Sequence, residues 1–296
     1  MPEPRTVILA YGDVIDDVVA IPVGPIRDDT DTVASIRFAA GGSAANTAAW
    51  LGTLGADVEF VGIVGGQDVD RHRSLLAKTG VVAHLQGHAT LPTGTIIVIS
   101  EGERRAMLTE RGANAALNPA TVTAEMLATA GVLHIAGHAL LNDAGGLGIA
   151  ALIGRALAAG AAVSVAPGSA GFIADYGPAQ FLQWFSGATI LFPSLDEGRL
   201  LTGFTEPQDV AAELGRQFEV VALTMGAEGV LVMHDGIGRR VAAVLVPMLD
   251  PTGAGDAFCA GFLDEWVRSH DPAAAAHAGA LVASRAVGVI GGRPTV

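Results

Sequence analysis

The segment Asp250-Pro-Thr-Gly-Ala-Gly-Asp256 holds the residue types best suited to chemistry in this chain. It stands between an apolar run, Val241–Leu249, expected as a strand, and Ala257–Leu263, expected as a helix. A glycine-rich turn that opens a helix presents unpaired backbone N–H groups at the positive end of the helix dipole, and such a turn binds anions such as phosphate. Gly253 and Gly255 carry no side chain, so a ligand can come close to the backbone. Asp256, at the same helix end, can accept a proton from an attacking hydroxyl while the amides hold a transferring phosphoryl group. The same residues equally describe a helix start with an acid in its first turn, worth about 1 kcal/mol of capping and nothing catalytic. A second segment, Gly41-Gly-Ser-Ala-Ala-Asn46, opens an Ala-rich helix expected over 44–54. Its paired glycines admit a ligand, and the Asn46 amide offers both a donor and an acceptor, which suits a polyhydroxylated molecule. A glycine-rich turn capped by Ser43 accounts for the same pattern.

The elements that must position these segments alternate along the chain. Strand-like runs at 6–11, 58–64, 132–136, 162–165, 189–192 and 220–224 are interleaved with helical patterns at 44–54, 69–79 and 146–159. Short apolar strands ending in Gly, Pro or Asp and followed by helices indicate βαβ units. The expected fold is α/β, a mainly parallel, doubly wound sheet flanked by helices, with the strands read as continuous apolar runs because both faces are covered. Two stretches depart from the rhythm. Residues 17–38 hold β-branched runs around the acidic loop Asp28-Asp-Thr-Asp31, and 94–110 reads as a hairpin about Glu101-Gly-Glu103. Both are expected to form a small β-lid inserted into a single domain spanning 1–296, and a lid excludes water from a reaction.

Composition narrows the function. Half of the 296 residues are apolar, enough for a large core, and the formal charge of −13, with no basic cluster, excludes a nucleic-acid partner. No apolar run approaches the ~18–20 residues of a membrane span, and the N-terminus lacks the pattern of a signal peptide, so a cytoplasmic protein is expected. The lone cysteine, Cys259, rules out an intrachain disulfide and reads as a small buried hydrophobe. Gly-x-Gly-x-x-Gly after an early strand is absent, as is any Gly-Lys pair, which excludes a nicotinamide dehydrogenase and a P-loop NTPase. A zinc hydrolase is not expected either.

Taken together, the chain resembles the ribokinase-like (PfkB) carbohydrate kinases over essentially its whole length. The N-terminal signature of that family is matched by Gly41–Asn46, then Gly62-Ile-Val-Gly65 and Asp68; its C-terminal signature is matched from Asp250 through Phe258. Between them Gly102-Glu-Arg104, Phe192-Pro-Ser-Leu-Asp-Glu197 and Leu223-Thr-Met-Gly-Ala-Glu-Gly229 follow in family order. The resemblance implies transfer of the ATP γ-phosphoryl group to a hydroxyl, primary in type, of a small sugar or sugar acid. It implies Asp256 as general base and the amides of Gly253, Ala254 and Gly255 as anion hole. Asp13, Asp17, Gly41, Gly42, Asn46 and Arg104 are implied on the substrate, with Asp16 an alternative register for Asp17. Thr224, Gly226 and Gly229 are implied on the nucleotide, and Glu197 with Ser194 on Mg²⁺ through water. A monovalent cation at the Asp250 loop and a homodimer formed through the lid belong to the same set of expectations. A nucleoside kinase on the same fold and a non-catalytic sugar- or nucleotide-binding relative are the alternatives.

Four departures from the family pattern stand out. The usual Asn-x-x-Glu reads Ser194-Leu-Asp-Glu197, a change in the metal's outer shell. Ala166-Pro-Gly-Ser169 lacks the Asp that many relatives carry at its first position. Ser43 replaces the lysine of typical ribokinases, which argues against ribose. Pro251 replaces the usual Thr and bears on the cation site at that loop.

Overall fold

The computed structural model describes residues 6–101, 104–140 and 143–295, the side chains of 100, 101, 104, 105 and 143–145 excepted. In chain order the elements are β1 (Val7–Tyr11), β2 (Ile15–Pro22), β3 (Ala34–Gly41), α1 (Ser43–Thr53), β4 (Val58–Gly65), α2 (Val69–Ala77), β5 (Val82–His88), β6 (Gly94–Glu101) and β7 (Arg104–Glu110). There follow α3 (Ala124–Thr129), β8 (Ala130–Ala136), α4 (Asp143–Ala158), β9 (Ala162–Ala166), α5 (Ala170–Tyr176), α6 (Pro178–Trp184), β10 (Ile190–Leu191), α7 (Leu195–Thr202) and α8 (Pro207–Leu214). The chain ends with β11 (Val220–Thr224), β12 (Val230–His234), β13 (Ile237–Val241), α9 (Ala254–Ser269) and α10 (Pro272–Ala286).

Nine strands form one sheet in the order β13-β12-β11-β10-β9-β8-β1-β4-β5, parallel from β5 to β11 and antiparallel in the β11-β12-β13 edge. Strand alternation sends Ile8 and Ala10 to one face, packed with Trp50 of α1 and Phe258 and Phe262 of α9. Leu9 and Tyr11 go to the other, with Ile149 and Leu152 of α4, Phe181 of α6 and Leu214 of α8. Two cores, one on each face, are what the continuous apolar strands imply. The small second sheet, ordered β3-β2-β6-β7, is built from the two stretches that break the βαβ rhythm.

One expected strand is absent. Residues 242–249 form no ladder, and β13 ends at Val241. Pro247 within that run lacks the N–H a strand would donate, and Leu245, Met248 and Leu249 are exposed. The apolar residues there line a cavity instead of pairing. The helix expected to begin at 146 starts at Asp143. No helix among the described residues is long and apolar enough to cross a membrane.

Candidate active site

The chain leaves β1 first toward β4 and β5, then returns to fill the other side from β8 outward. Parallel sheets bind ligands at such a switch point, beyond the carboxyl ends of the strands. Asp13 emerges there, two residues past β1, and is buried. Its two carboxylate oxygens accept the backbone N–H groups of Ser43 and Ala44, at 3.1 and 3.2 Å. Asp13 thereby ties the start of α1 to the end of β1 and neutralises the positive end of that helix.

Ser43 does not cap the helix. Gly42 occupies the N-cap at φ 97°, and the Ser43 hydroxyl donates to Asp256 Oδ1 at 2.7 Å. Asn46, one turn further along α1, donates from Nδ2 to Asp256 Oδ2 at 2.9 Å. Asp17 lies on β2 two residues past Ile15, the partner of Gly41 on β3, and a Cβ on Gly41 would fall 2.1 Å from the Asp17 carboxylate and displace it. Asp16 projects from the opposite face of that strand and takes a two-pronged bond from Arg71 of α2, at 2.9 and 2.6 Å. Burial works to raise its pKa, but the His72 ring, 3.4 Å away, and the Arg71 bonds outweigh it and hold Asp16 well below the usual carboxylate range. The two aspartates thus part: Asp17 lies against Gly41, and Asp16, on the other face, fastens the small sheet to α2.

Asp256 stands in the first turn of α9, whose N-cap is Gly253 at φ 77°. A side chain at Gly253 would meet the backbone of Gly292 at 2.5 Å, so close packing and a left-handed conformation both require glycine. The Ala254 N–H already donates to the Pro251 carbonyl at 3.2 Å, so one of the three expected anion-hole amides is engaged within its own turn. Desolvation pushes the Asp256 carboxyl up to about 7, against the opposing effect of the bonds from Ser43 and Asn46. Asp17 is pushed up to about 7 for the same first reason, with Arg293 working to lower it and Asp13 to raise it.

Arg293 is a residue the sequence reading missed. It donates from Nη2 to the Gly41 carbonyl at 2.9 Å and from Nε to Asn46 Oδ1 at 3.4 Å. Burial lowers its pKa to about 10, opposed by Asp17, Asp16 and Asp13. By engaging Oδ1, it turns the Asn46 NH₂ toward Asp256. The one signal in the sequence was a further glycine pair, Gly291-Gly292, immediately before it. Trp50 of α1 holds that segment in place, donating to the Gly292 carbonyl at 3.0 Å.

On the far side of the α9 turn lies a cavity of about 550 Å³. Thr224, Gly226 and Gly229, at the turn between β11 and β12, share its wall with Ala254 and Gly255. The apolar residues Val244 to Val246 and Met248 close it, which is the fate of the expected strand. Ser194 also lines it, and Ser194 with Glu197 forms a capping box at the start of α7. The Ser194 N–H donates to Glu197 Oε2 at 2.7 Å, and the Glu197 N–H donates to Ser194 Oγ at 3.3 Å. Burial raises the pKa of Glu197. Its Oε1 makes no hydrogen bond among the described residues. A carboxylate in the first turn of α7, whose N-cap Ser194 lines this cavity, is the kind of oxygen donor that suits a hard cation keeping its waters, as Mg²⁺ does.

Arg104 begins β7, opposite Glu101, and its side chain lies outside the described residues. The hairpin's turn residues, Gly102 and Glu103, lie outside them too. Cys259 is buried in α9, as expected, and burial pushes its thiol well above the ordinary range. His84 and His88, and His134 and His138, are spaced four apart, but on or just past β5 and β8, where that spacing separates side chains by about 13 Å. No group of three metal-ligating side chains occurs among the described residues.

A doubly wound sheet whose switch point holds a desolvated carboxylate, a glycine-opened helix end and an adjoining cavity defines an α/β phosphotransferase. The chain belongs to the pfkB family of carbohydrate kinases, whose model matches residues 5–296. It is 32% identical over 256 residues to the ATP-dependent ribose-1-phosphate kinase of Halopiger xanaduensis, covering 83% of this chain and 80% of that protein. Among solved structures it superposes on adenosine kinase from Sinorhizobium meliloti with a TM-score of 0.87 at 25% identity, over 99% of this chain and 97% of that one. It also superposes on a putative ribokinase II from E. coli in complex with ATP and Mg²⁺, with a TM-score of 0.86 at 20% identity, over 97% and 94% of the two chains.

Proposed function

We propose that this carbohydrate kinase transfers the γ-phosphoryl group of ATP to a hydroxyl, primary in type, of a small sugar or sugar acid, with Asp256 as the general base. The observation that carries this reading is the meeting of α1 and α9 at one carboxylate. Ser43 and Asn46 approach Asp256 from the α1 side while the glycine-opened end of α9 faces the cavity. A carboxyl raised to about 7 is ionised in half of the molecules near neutral pH and is basic enough to take a hydroxyl proton. Phosphoryl transfer passes through a loose transition state, so holding the acceptor in line and stabilising the moving charge matter more than base strength.

The remaining roles follow from position. Asp17, Asp13, Gly41, Gly42 and Asn46 surround the acceptor, and Arg104 is assigned to it from the edge of the small sheet. The amides of Gly253 and Gly255 face the phosphoryl group, with Ala254 completing the turn. Thr224, Gly226 and Gly229 hold the nucleotide. Glu197, with Ser194, would hold Mg²⁺ through water; the ion's chemistry there is to neutralise phosphate charge. A monovalent cation belongs at the Asp250 loop, where the Asp250 carboxylate accepts the N–H groups of Thr252 and Gly291 at 2.9 and 3.0 Å. The small sheet acts as the lid of a single domain. Its face turned away from Asp17 presents Ile36, Phe38, Ile97 and Leu108, and two copies joined through that face form the homodimer. Cytoplasmic residence supplies the ATP.

A nucleoside acceptor is the second reading, favoured by the likeness to adenosine kinase. An ADP-release assay over sugars, sugar acids and nucleosides with ATP and Mg²⁺ separates the two. Turnover confined to nucleosides replaces the sugar reading, and silence across the whole panel ends both.

A further inference from the structure

After α10 the chain comes back to the site once more. Past Ala286 it runs beside the Asp250 loop, where the Val287 carbonyl accepts from the Leu249 N–H at 2.8 Å and the Gly291 N–H donates to Asp250 at 3.0 Å. Gly292 then passes between the starts of α1 and α9. A Cβ on Gly292 would fall 2.3 Å from Asn46 Nδ2, and a Cβ on Gly253 would fall 2.5 Å from the Gly292 backbone. A backbone without side chains is thin enough for this passage. It delivers Arg293 to the α1 side of Asp256.

Around Arg293 stand three acids, Asp17, Asp16 and Asp13, and one other cation, Arg71. Its hydrogen bonds go to none of the acids; they go to the Gly41 carbonyl and to Asn46 Oδ1. The Gly41 bond, at 2.9 Å, anchors the guanidinium. The Asn46 contact, at 3.4 Å, is long, yet it decides which way the amide faces. A guanidinium has donors only, whereas a primary amide has a donor end and an acceptor end. Turned over, Asn46 would set its NH₂ against the guanidinium and its oxygen where Nδ2 now stands, 2.9 Å from Asp256 Oδ2.

This constraint counts most once the base has taken a proton. An ionised Asp256 only accepts, so it holds the Asn46 NH₂ unaided. A protonated Asp256 is also a donor, and an unrestrained amide would turn over and accept from it. A hydrogen bond to the ionised form of a carboxyl lowers its pKa, and one to the neutral form raises it. An amide held still denies the protonated form that partner. The proton taken from the acceptor hydroxyl then passes on to solvent and the base is restored.

We propose that Arg293 is a positioning residue: its guanidinium keeps the Asn46 amide in one orientation, NH₂ toward Asp256, whether Asp256 is ionised or protonated. The functional part of this rests on the reading of Asp256 as the general base. Arg293 acts through Asn46 and requires no contact with the acceptor or the nucleotide.

The test follows the Asp256 carboxyl carbon by NMR in the full chain without substrate, its signal assigned by its loss in Asp256→Asn. Wild type, Arg293→Met, Asn46→Ala and the double variant form a cycle. Arg293→Met should raise the Asp256 titration midpoint by about one unit, and by no more than about a third of a unit when added to Asn46→Ala. Asp13, Asp17 and Cys259 around Asp256, with Asp16 and Arg71 around Arg293, are common to all four proteins, so their influence cancels in the cycle. A shift of equal size in both backgrounds would mean that Arg293 acts by charge alone and overturns the assignment, as does no shift in either. Arg293→Lys keeps the charge without the planar fork and should give a smaller shift in the same direction. Its cycle, judged by the same criterion, replaces that of Arg293→Met if the latter does not fold. On a confirmed substrate the acid limb of kcat/KM should follow the carboxyl upward in Arg293→Met, while KM for ATP stays within about twofold. The expected carboxyl shifts in a protein that turns over no acceptor would end the kinase reading and leave the placement of Asn46 standing.

Discussion

Two helices, α1 and α9, begin alike and end up doing opposite things. Each has a glycine at its N-cap in a positive-φ conformation, Gly42 at 97° and Gly253 at 77°, and neither has a side-chain cap of its own. At α1 the first amides are taken by Asp13, a carboxylate delivered from the end of β1. At α9 the acid in the first turn is Asp256, whose oxygens are turned away to Ser43 and Asn46, and the turn borders a 550 Å³ cavity. One positive helix end is quenched inside the protein and can serve a neutral, hydrogen-bonding part of the substrate. The other stays available to an anion. What a helix start binds is therefore decided by what the fold places opposite it.

The strongest way to break this comparison is Asp256→Asn. Loss of a general base should lower kcat by about a thousandfold, read by ADP release on any confirmed substrate. Stability should move the other way. The Asp256 carboxyl sits near 7 in the folded chain against 3.8 for the free residue, so its favourable contribution is complete below about 4 and is lost as the pH rises through about 7. Asparagine carries no such penalty. The variant should be more stable than wild type at pH 8, on the order of 2 kcal/mol, and the gap should close toward pH 4. A variant less stable at pH 8 would mean that the ionised carboxylate is well solvated where it stands.

A smaller effect sharpens the link between the two helices. The Ser43 and Asn46 bonds both favour the ionised form of Asp256. Ser43→Ala removes one of them, so the acid limb of the kcat/KM profile should move to higher pH by about one unit. Asp17 titrates in the same range, so the limb belongs to the coupled pair and not to either residue alone. The diagnostic quantity is the displacement on substitution. An unmoved limb would show that the observed ionisation is not that of Asp256.

Much of the α1–α9 comparison was legible in the sequence, because glycine pairs, Asn46 and the aspartates announce themselves locally by type and spacing. The small sheet was legible for the converse reason: β-branched runs at 17–38 and 94–110 interrupt a βαβ rhythm. What failed to show depends on the chain's return in three dimensions. Arg293 reaches Asn46 and Gly41 across some 250 positions, and Ser43 looks like a cap until α9 is set beside it. The run 241–249 was misread because apolar residues lining a cavity resemble apolar residues in a ladder; Pro247 was the overlooked sign.

The smallest expected effect concerns the outer edge of the cavity. Ser194 stands where family members usually carry asparagine, and it is the N-cap of α7 in a reciprocal pair with Glu197. Serine and asparagine cap helices about equally well, so Ser194→Asn should leave the melting temperature nearly unchanged. The asparagine side chain reaches further and offers an amide as well as an oxygen, so it can hold a metal-bound water that serine meets less well. Half-maximal turnover should then need less Mg²⁺, by about twofold to tenfold, measured by metal titration at saturating sugar. Unchanged Mg²⁺ dependence with unchanged stability would confine Ser194 to its helix cap and leave Glu197 as the outer-shell group at that edge.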